Sequence, residues 1–528
     1  MSKSKRKSKR KQVEFSFLEG EKVIGRFDGG DISGFGGAVI LRELELMHDL
    51  IAGAAQCIKD TRDPAKVIHT VFHILCQRIF LICLGFPDAN DSNKFSKDAI
   101  IKLVLGILPG KTNNDRRKAA ASQSTISRME SGRKKSKKQI ENERKQNKSK
   151  GKDLQVKAYE KGVSENDIRR LFSYYIERYI QRLSKKKPKM IVLDFDGSAV
   201  EAHGHQQYIA FNGHYEMNMY FPLFVFDQDG WLIAPILRPG NQSEAEIATP
   251  VLKILVKRIR KKLPGVTIVF RGDAGFHSQE IFRWCEANDV YYVIGIKGDS
   301  NLHSKSKTQD KKAREQFSRL FGEPSYTGKN GSKEKSAAEN EAHTLPKDQR
   351  MDELEEIYSR EVRLFCAFWH RADSAANPDP WDVERMVIAR SVFNDRGLHR
   401  RYLVTNLTNL TAEHIYTKIY SRRGRMEQMI CSMKEIGCER MSCQEYLANQ
   451  FRLLLHGLSY NLFQLLRDYL PKSARNQKEI TLSEKFLRIA VQVKFTTRQI
   501  WLRWTSNFPE ETAFMHLCSR LNLLYSTA

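Results

Sequence analysis

Two apolar runs, each ending on an acid, constrain this chain most. Met190 to Phe195 is apolar except for Asp194 and runs into Asp196-Gly197-Ser198; Val266 to Phe270 runs into Arg271-Gly272-Asp273-Ala274-Gly275. Short, unalternating runs bounded by glycine fit strands buried on both faces. Between them, Tyr220 to Phe226 and Trp231 to Leu237 turn around Asp229-Gly230 as a hairpin. Ser243 to Lys262 reads as a helix, with Ser243 as N-cap and Glu246 three residues on completing a capping box. A helix over 277–287 and a strand from Val290 to Ile296 follow. The order strand, hairpin, helix, strand, helix, strand predicts an α/β domain. Two of its strands deliver Asp196 and Asp273 to the carboxyl edge, where ligands of such sheets gather.

A third acid stands in Tyr420-Ser421-Arg422-Arg423-Gly424-Arg425-Met426-Glu427, which continues to Lys434. On a regular helix Tyr420, Arg423, Glu427 and Lys434 fall within an arc of roughly 60°. One face then carries a phenol, a guanidinium, a carboxylate and an ammonium. Cations beside Glu427 favour its ionised form and suit it to hold a metal. Arg offers a phosphate a planar fork and Lys a point charge. A solvated face with i,i+4 ion pairs is the alternative reading.

The 528 residues carry a formal charge of +26, from 88 Lys and Arg against 62 Asp and Glu. An excess of that size points to a polyanion partner, most simply nucleic acid. The most apolar run, Val71 to Leu84, is interrupted by His73, Gln77 and Arg78, so no membrane span is expected. None of the nine Cys forms a CxxC pair, which predicts free thiols in a reducing cytosol. Met1 to Lys11 lacks the apolar stretch of a secretory signal and reads as a disordered basic arm that contacts phosphates.

Residues 1–187 read as a basic helical region, with helical spacing over Leu41 to Ile58, Ala65 to Leu84 and Ala99 to Leu108. Gly29 to Gly37 is read as a turn. Asp115 to Glu130 contains Ser122-Gln123-Ser124-Thr125-Ile126-Ser127-Arg128. That segment is either the groove-reading helix of a helix-turn-helix unit, with Arg128 as a DNA contact, or a polar connecting helix. Residues 131–153 are a solvated linker or a phosphate-contacting helix. Residues 299–352 read as a polar loop excursion, followed by strands over Val362 to Trp369, Met386 to Val392 and Tyr402 to Thr405. Tyr446 to Leu470 is a long amphipathic helix. The apolar stretch from Leu482 to Trp504, with Lys494, Arg498 and Arg503, serves packing or DNA contact.

Phosphoryl transfer on nucleic acid uses two hard cations, and carboxylates converging from different elements suit Mg²⁺. At these residues the chain resembles a family. Asp-Gly-Ser closing a central strand looks like the first acid of a ribonuclease H-like fold. Tyr-x2-Arg-x3-Glu-x6-Lys at 420, 423, 427 and 434 matches the signature around the third acid of bacterial insertion-sequence DDE transposases. Leu193-Asp194-Phe195-Asp196, Phe211-Asn212-Gly213-His214-Tyr215, Leu237-Arg238-Pro239-Gly240 and Arg271-Gly272-Asp273 resemble the group 1 branch. The resemblance runs from about residue 30 to 505.

The resemblance implies an α/β ribonuclease H-like catalytic core over 188–298 and 411–470. A polar loop and β-rich insertion over 299–410 precede the third acid, and a basic tail region spans 471–528. It implies cleavage and strand transfer at terminal inverted repeats, with two Mg²⁺ ions (Mn²⁺ as substitute) on Asp196, Asp273 and Glu427. Asp194 stays open as a substitute or helper of Asp196, since residues two apart share a strand face. Tyr420, Arg423, Lys434 and Arg425 would contact DNA phosphates. The partners implied are double-stranded terminal repeats, target DNA and a second copy in a synaptic dimer, in a bacterial, nucleoid-associated cytoplasmic setting. A metal-dependent nuclease and a non-catalytic DNA-binding regulator derived from a transposase are the rival functions. His203 and His205 lack a third soft ligand, so they and Asn212 to Tyr215 are read as structural or as DNA contacts.

Overall fold

The computed structural model describes residues 12–15, 23–26, 28–108, 119–132, 137–149, 162–202, 204–324, 360–372, 380–496 and 498–523. The basic arm, Asp115 to Lys118, His203 and residues 325–359 lie outside them. The chain divides into two compact units. One comprises Met1–Tyr174, Gly204–Gln207 and Ser432–Ala528; the other comprises Tyr175–His203 and Tyr208–Cys431.

The second unit is built on an eight-stranded sheet. Its elements are β1 (Met190–Gly197), β2 (Leu223–Asp227), β3 (Leu232–Ile236), α1 (Glu244–Lys262), β4 (Thr267–Gly272), α2 (Gln279–Ala287) and β5 (Tyr291–Ile296). Next come α3 (Ser300–Phe321), β6 (Glu361–His370), β7 (Arg385–Asn394), β8 (Gly397–Thr405) and α4 (Gly424–Glu435). The strand order is β6-β7-β8-β5-β4-β1-β2-β3. β1, β4 and β5 run parallel, β2 is antiparallel to β1, and β8 is antiparallel to β5. Both strands predicted to end on an acid are therefore central and adjacent, and β1 is buried from Ile191 through Asp196. The strands of 361–405 do not stand apart from the α/β core but extend the same sheet through β5.

Strand parity sorts the two sheet faces. Phe195, Phe270 and Phe276 cluster on one, with Phe195 and Phe270 rings 5.0 Å apart. On the other, Val192, Val269 and Val293 pack against Ile415, Tyr416 and Ile419. The segment that leads into α4 thus covers the face to which Asp194 and Asp196 belong.

Further sequence expectations change, among them the helix expected over Ala65 to Leu84, which runs from Val71 to Cys83. Leu41 to Ile58 is two helices, Ala38–His48 and Leu50–Gln56, parted at Asp49 with φ 51°. The polar excursion begins as the 22-residue helix α3. Ser243 occupies the N-cap of α1 but makes no side-chain capping bond, so the capping box is not formed. The segment around Tyr420 is not one regular helix: a π-helical stretch (Ile415–Tyr420) tightens into a 3-10 turn (Ser421–Arg423) before α4.

The first unit packs Val71–Cys83 against the long helix Tyr446–Tyr469. Helix Gln123–Ser131, the candidate groove reader, is fastened there by Ile126 in an apolar cluster and by the buried Glu130. The Arg78 Nε lies 3.0 Å and the Arg452 Nε 2.7 Å from Glu130 carboxylate oxygens. Burial alone would raise the Glu130 pKa, but the two guanidinium groups outweigh it and hold the acid ionised. Among the described residues, no helix is long and apolar enough to cross a membrane.

Removing Glu130 strands two guanidinium groups in that interior. Glu130→Ala should cost about 3–5 kcal/mol, seen by calorimetry as a lowered transition for this unit. An unchanged melt contradicts the structural weight given to this acid.

Candidate active site

In β1 and β4 the register pairs Asp194 with Arg271. Carried two residues further, it sets Asp273 beside Asp196, about 4.8 Å away along the hydrogen-bonding direction. The lower rung is closed. Arg271 donates from Nε and Nη2 to the two carboxylate oxygens of Asp194 and from Nη1 to the Ile419 carbonyl. Both side chains are almost fully buried, at 4% and 2% exposure. Asp194 is therefore engaged below the strand ends, and Asp196 and Asp273 face the opening above it.

The covering segment brings the remaining groups. Ile415, Tyr416 and Ile419 seat it on the valine face, so Tyr420, Arg423 and Glu427 come over the strand ends. The Arg423 Nη2 lies 2.8 Å from Asp196 Oδ1 and 3.4 Å from Asp273 Oδ2, and its Nη1 is 4.0 Å from Glu427 Oε1. Glu427 is the most open of the three acids at 70% side-chain exposure, against 11% for Asp196 and 39% for Asp273. Extending the β4–β5 register by one residue sets Gly295 beside Asp273. A Cβ at Gly295 would come within 2.9 Å of the Tyr420 hydroxyl, so this glycine leaves the phenol its place.

A fourth acid, which sequence reasoning did not single out, completes the group. Glu244, the first residue of α1, lies 3.8 Å from the Nη2 of the buried Arg238. Its only sequence signal is an acid in the first turn of a helix, where the macrodipole favours one for ordinary reasons. Burial, reinforced by Asp273, pushes the Glu244 pKa up to about 7 against the opposing pull of Arg238 and Arg423. Burial likewise lifts Asp196 to about 7; Arg423 opposes this, and Asp273, Glu244 and Glu427 add to it. Burial would lower the Arg423 pKa, but Asp196 and Asp273 lead the acids that raise it. Burial also raises the Tyr420 phenol. The site gathers four acids around two guanidinium groups, Arg423 among Asp196, Asp273 and Glu427 and Arg238 behind Glu244.

The other candidates lie elsewhere. Lys434 is in the last turn of α4, 3.4 Å from Glu439, and is grouped with the first unit. Arg425 is exposed. Arg128, also in the first unit, is exposed, with Nη2 3.3 Å from the Ser124 hydroxyl. Asn212 accepts the His214 and Tyr215 N–H groups and donates to the Gly240 carbonyl at 2.7 Å. This segment therefore pins a turn to the loop before α1.

Carboxylate oxygens of this kind suit a hard divalent cation. The Arg423 guanidinium, bridging Asp196 and Asp273, marks where the acids demand positive charge. Among the described residues, no three acidic, His or Cys side chains form a ready-made metal cage.

The chain matches the family model described as "Transposase DDE domain group 1" over residues 15–526. No curated protein matches it. Transposase complexes are among the solved structures that match. One is a piggyBac transposase synaptic complex with hairpin DNA, at 12% identity and TM-score 0.36, covering 93% of this chain and 82% of that one. Another is a Mos1 transposase paired-end complex with the left transposon end, at 13% identity and TM-score 0.15, covering 45% and 60%.

An acid whose folded pKa stands above its unfolded value contributes stability at low pH that is lost as pH rises through the folded value. Asp196 and Glu244, at about 7 against reference values of 3.8 and 4.5, both behave this way. Without divalent cations, the melting temperature should fall as pH is raised from about 5 to about 8, and Asp196→Asn should flatten that slope. Asp194→Ala, which strands Arg271, should instead cost about 3–5 kcal/mol. Equal effects of the two substitutions would contradict the division of labour between these acids.

Proposed function

This chain belongs to the transposase DDE domain group 1 family, and we propose that it is an active DNA transposase. In this reading it nicks DNA at the terminal inverted repeats of its own element. The freed 3′-hydroxyl then attacks target DNA. The observation that carries the reading is the convergence of Asp196, Asp273 and Glu427 on Arg423 at the carboxyl edge of two central parallel strands. The order β3-β2-β1-β4-β5, with β2 antiparallel, supports a ribonuclease H-like core into which α3 and β6 to β8 are inserted before the third acid. The formal charge of +26 supports a DNA partner.

Asp196, Asp273 and Glu427 would hold two Mg²⁺ ions, for which Mn²⁺ can substitute. Bound there, the ions would activate the attacking oxygen and stabilise the leaving one. Arg423 neutralises the acids in their absence and is placed to hold a DNA phosphate when they arrive. Tyr420 presents its hydroxyl beside the strand ends. Lys434, Arg425 and Arg128 are read as phosphate contacts of longer DNA. Joining two element ends calls for a synaptic pair of subunits, and the setting we infer is a bacterial nucleoid.

The test is cleavage of DNA bearing the element's ends with Mg²⁺. Asp196→Ala, Asp273→Ala and Glu427→Ala should each lose roughly 10³-fold in rate, equivalent to about 4 kcal/mol, while retaining DNA binding. Wild-type protein that cuts without joining indicates a nuclease. Binding without any cutting indicates a regulator. Either result overturns the transposase reading.

A further inference from the structure

Glu244 meets both acid-bearing turns at once. A Cβ on Gly197, the residue after Asp196, would come within 2.2 Å of Glu244 Oε1. A Cβ on Gly275, two residues after Asp273, would come within 1.9 Å of Glu244 Oε2. The carboxylate therefore spans the gap between the turns in space that only glycine leaves. It is fixed there from two sides. The Gly197 N–H faces it and favours its charged form, and the buried Arg238 lies behind it, its guanidinium 4.9 Å over the Phe221 ring and its Nη1 donating at 3.1 Å to the Gln242 carbonyl. The Asp273 turn is closed by its own bond, with the Gly275 N–H donating at 2.8 Å to Asp273 Oδ1. Beside the strand pairing and the Arg423 bridge, Glu244 is the side chain that lies between that turn and the neighbouring one.

We propose that Glu244 is a positioning residue: its carboxylate braces the Gly197 and Gly275 turns and so sets the spacing at which Asp196 and Asp273 receive a divalent cation. The proposal rests on the reading of these two acids as cation ligands. It assigns Glu244 to the acids' backbone supports rather than to the cation. Such supporting groups typically change metal affinity by about 10–100-fold when removed.

Mn²⁺ binding to the full-length protein without DNA, followed by electron paramagnetic resonance, tests this. Glu244→Ala should weaken Mn²⁺ by about 10–100-fold. Glu244→Gln keeps the length of the side chain and an oxygen for the Gly197 N–H, and should stay within a few-fold of wild type. Gly275→Ala should also weaken binding, by displacing the brace. Wild-type affinity in Glu244→Ala, with binding lost in Asp196→Ala, overturns the proposal and leaves the acid centre standing. Gln as weak as Ala also overturns it, by making Glu244 a ligand. Wild-type affinity in Asp196→Ala overturns the centre itself.

Discussion

The buried pair of Asp194 and Arg271 is the constraint on which the site depends. Taking both charges out of water is costly, and the cost is offset only by a bidentate geometry that satisfies both groups. Adjacent parallel strands in register provide it. The third arm of Arg271 reaches the Ile419 carbonyl, so the pair joins the two central strands to the segment that bears Arg423 and Glu427. With Asp194 committed, strand parity places Asp196 and Asp273 one step higher, at the open edge.

That edge is electrostatically uneasy. Asp196 and Glu244 stand among like charges, with Arg423 compensating Asp196 and Arg238 leading Arg423 at Glu244. A fold that only needed stability would replace such a group with apolar side chains. Repulsion among carboxylates is instead what a cation would relieve, which is the exchange of stability for affinity that the proposed function calls for.

Much of this was legible in the sequence. The unalternating runs before Asp196 and Asp273 predict central strands, and both are central. The positions of Tyr420, Arg423, Glu427 and Lys434 predict one helix face; the first three come over the strand ends even though the pitch varies, and Lys434 pairs with Glu439 instead. The engagement of Asp194 was not legible, because register across strands is not written in one sequence. Nor was the role of Glu244, which looks like any acid at a helix start. The helix α3 was hidden for another reason. Its buried stripe is Leu302, Ser306, Asp310, Ala313 and Phe317, and two of those five are polar. Ser306 meets the Tyr402 hydroxyl at 2.9 Å and Asp310 meets Arg400 at 2.8 Å, so hydrogen bonds carry the middle of a period that Leu302, Ala313 and Phe317 carry at its ends.

Anomalous diffraction from crystals of the protein soaked in Mn²⁺ addresses the central claim most directly. The expected result is manganese density between Asp196 and Asp273, with Arg423 displaced from its bridge and the Asp194–Arg271 pair unchanged. Manganese on Asp194, or none near Asp196 and Asp273 at concentrations where the protein binds the ion, would contradict it.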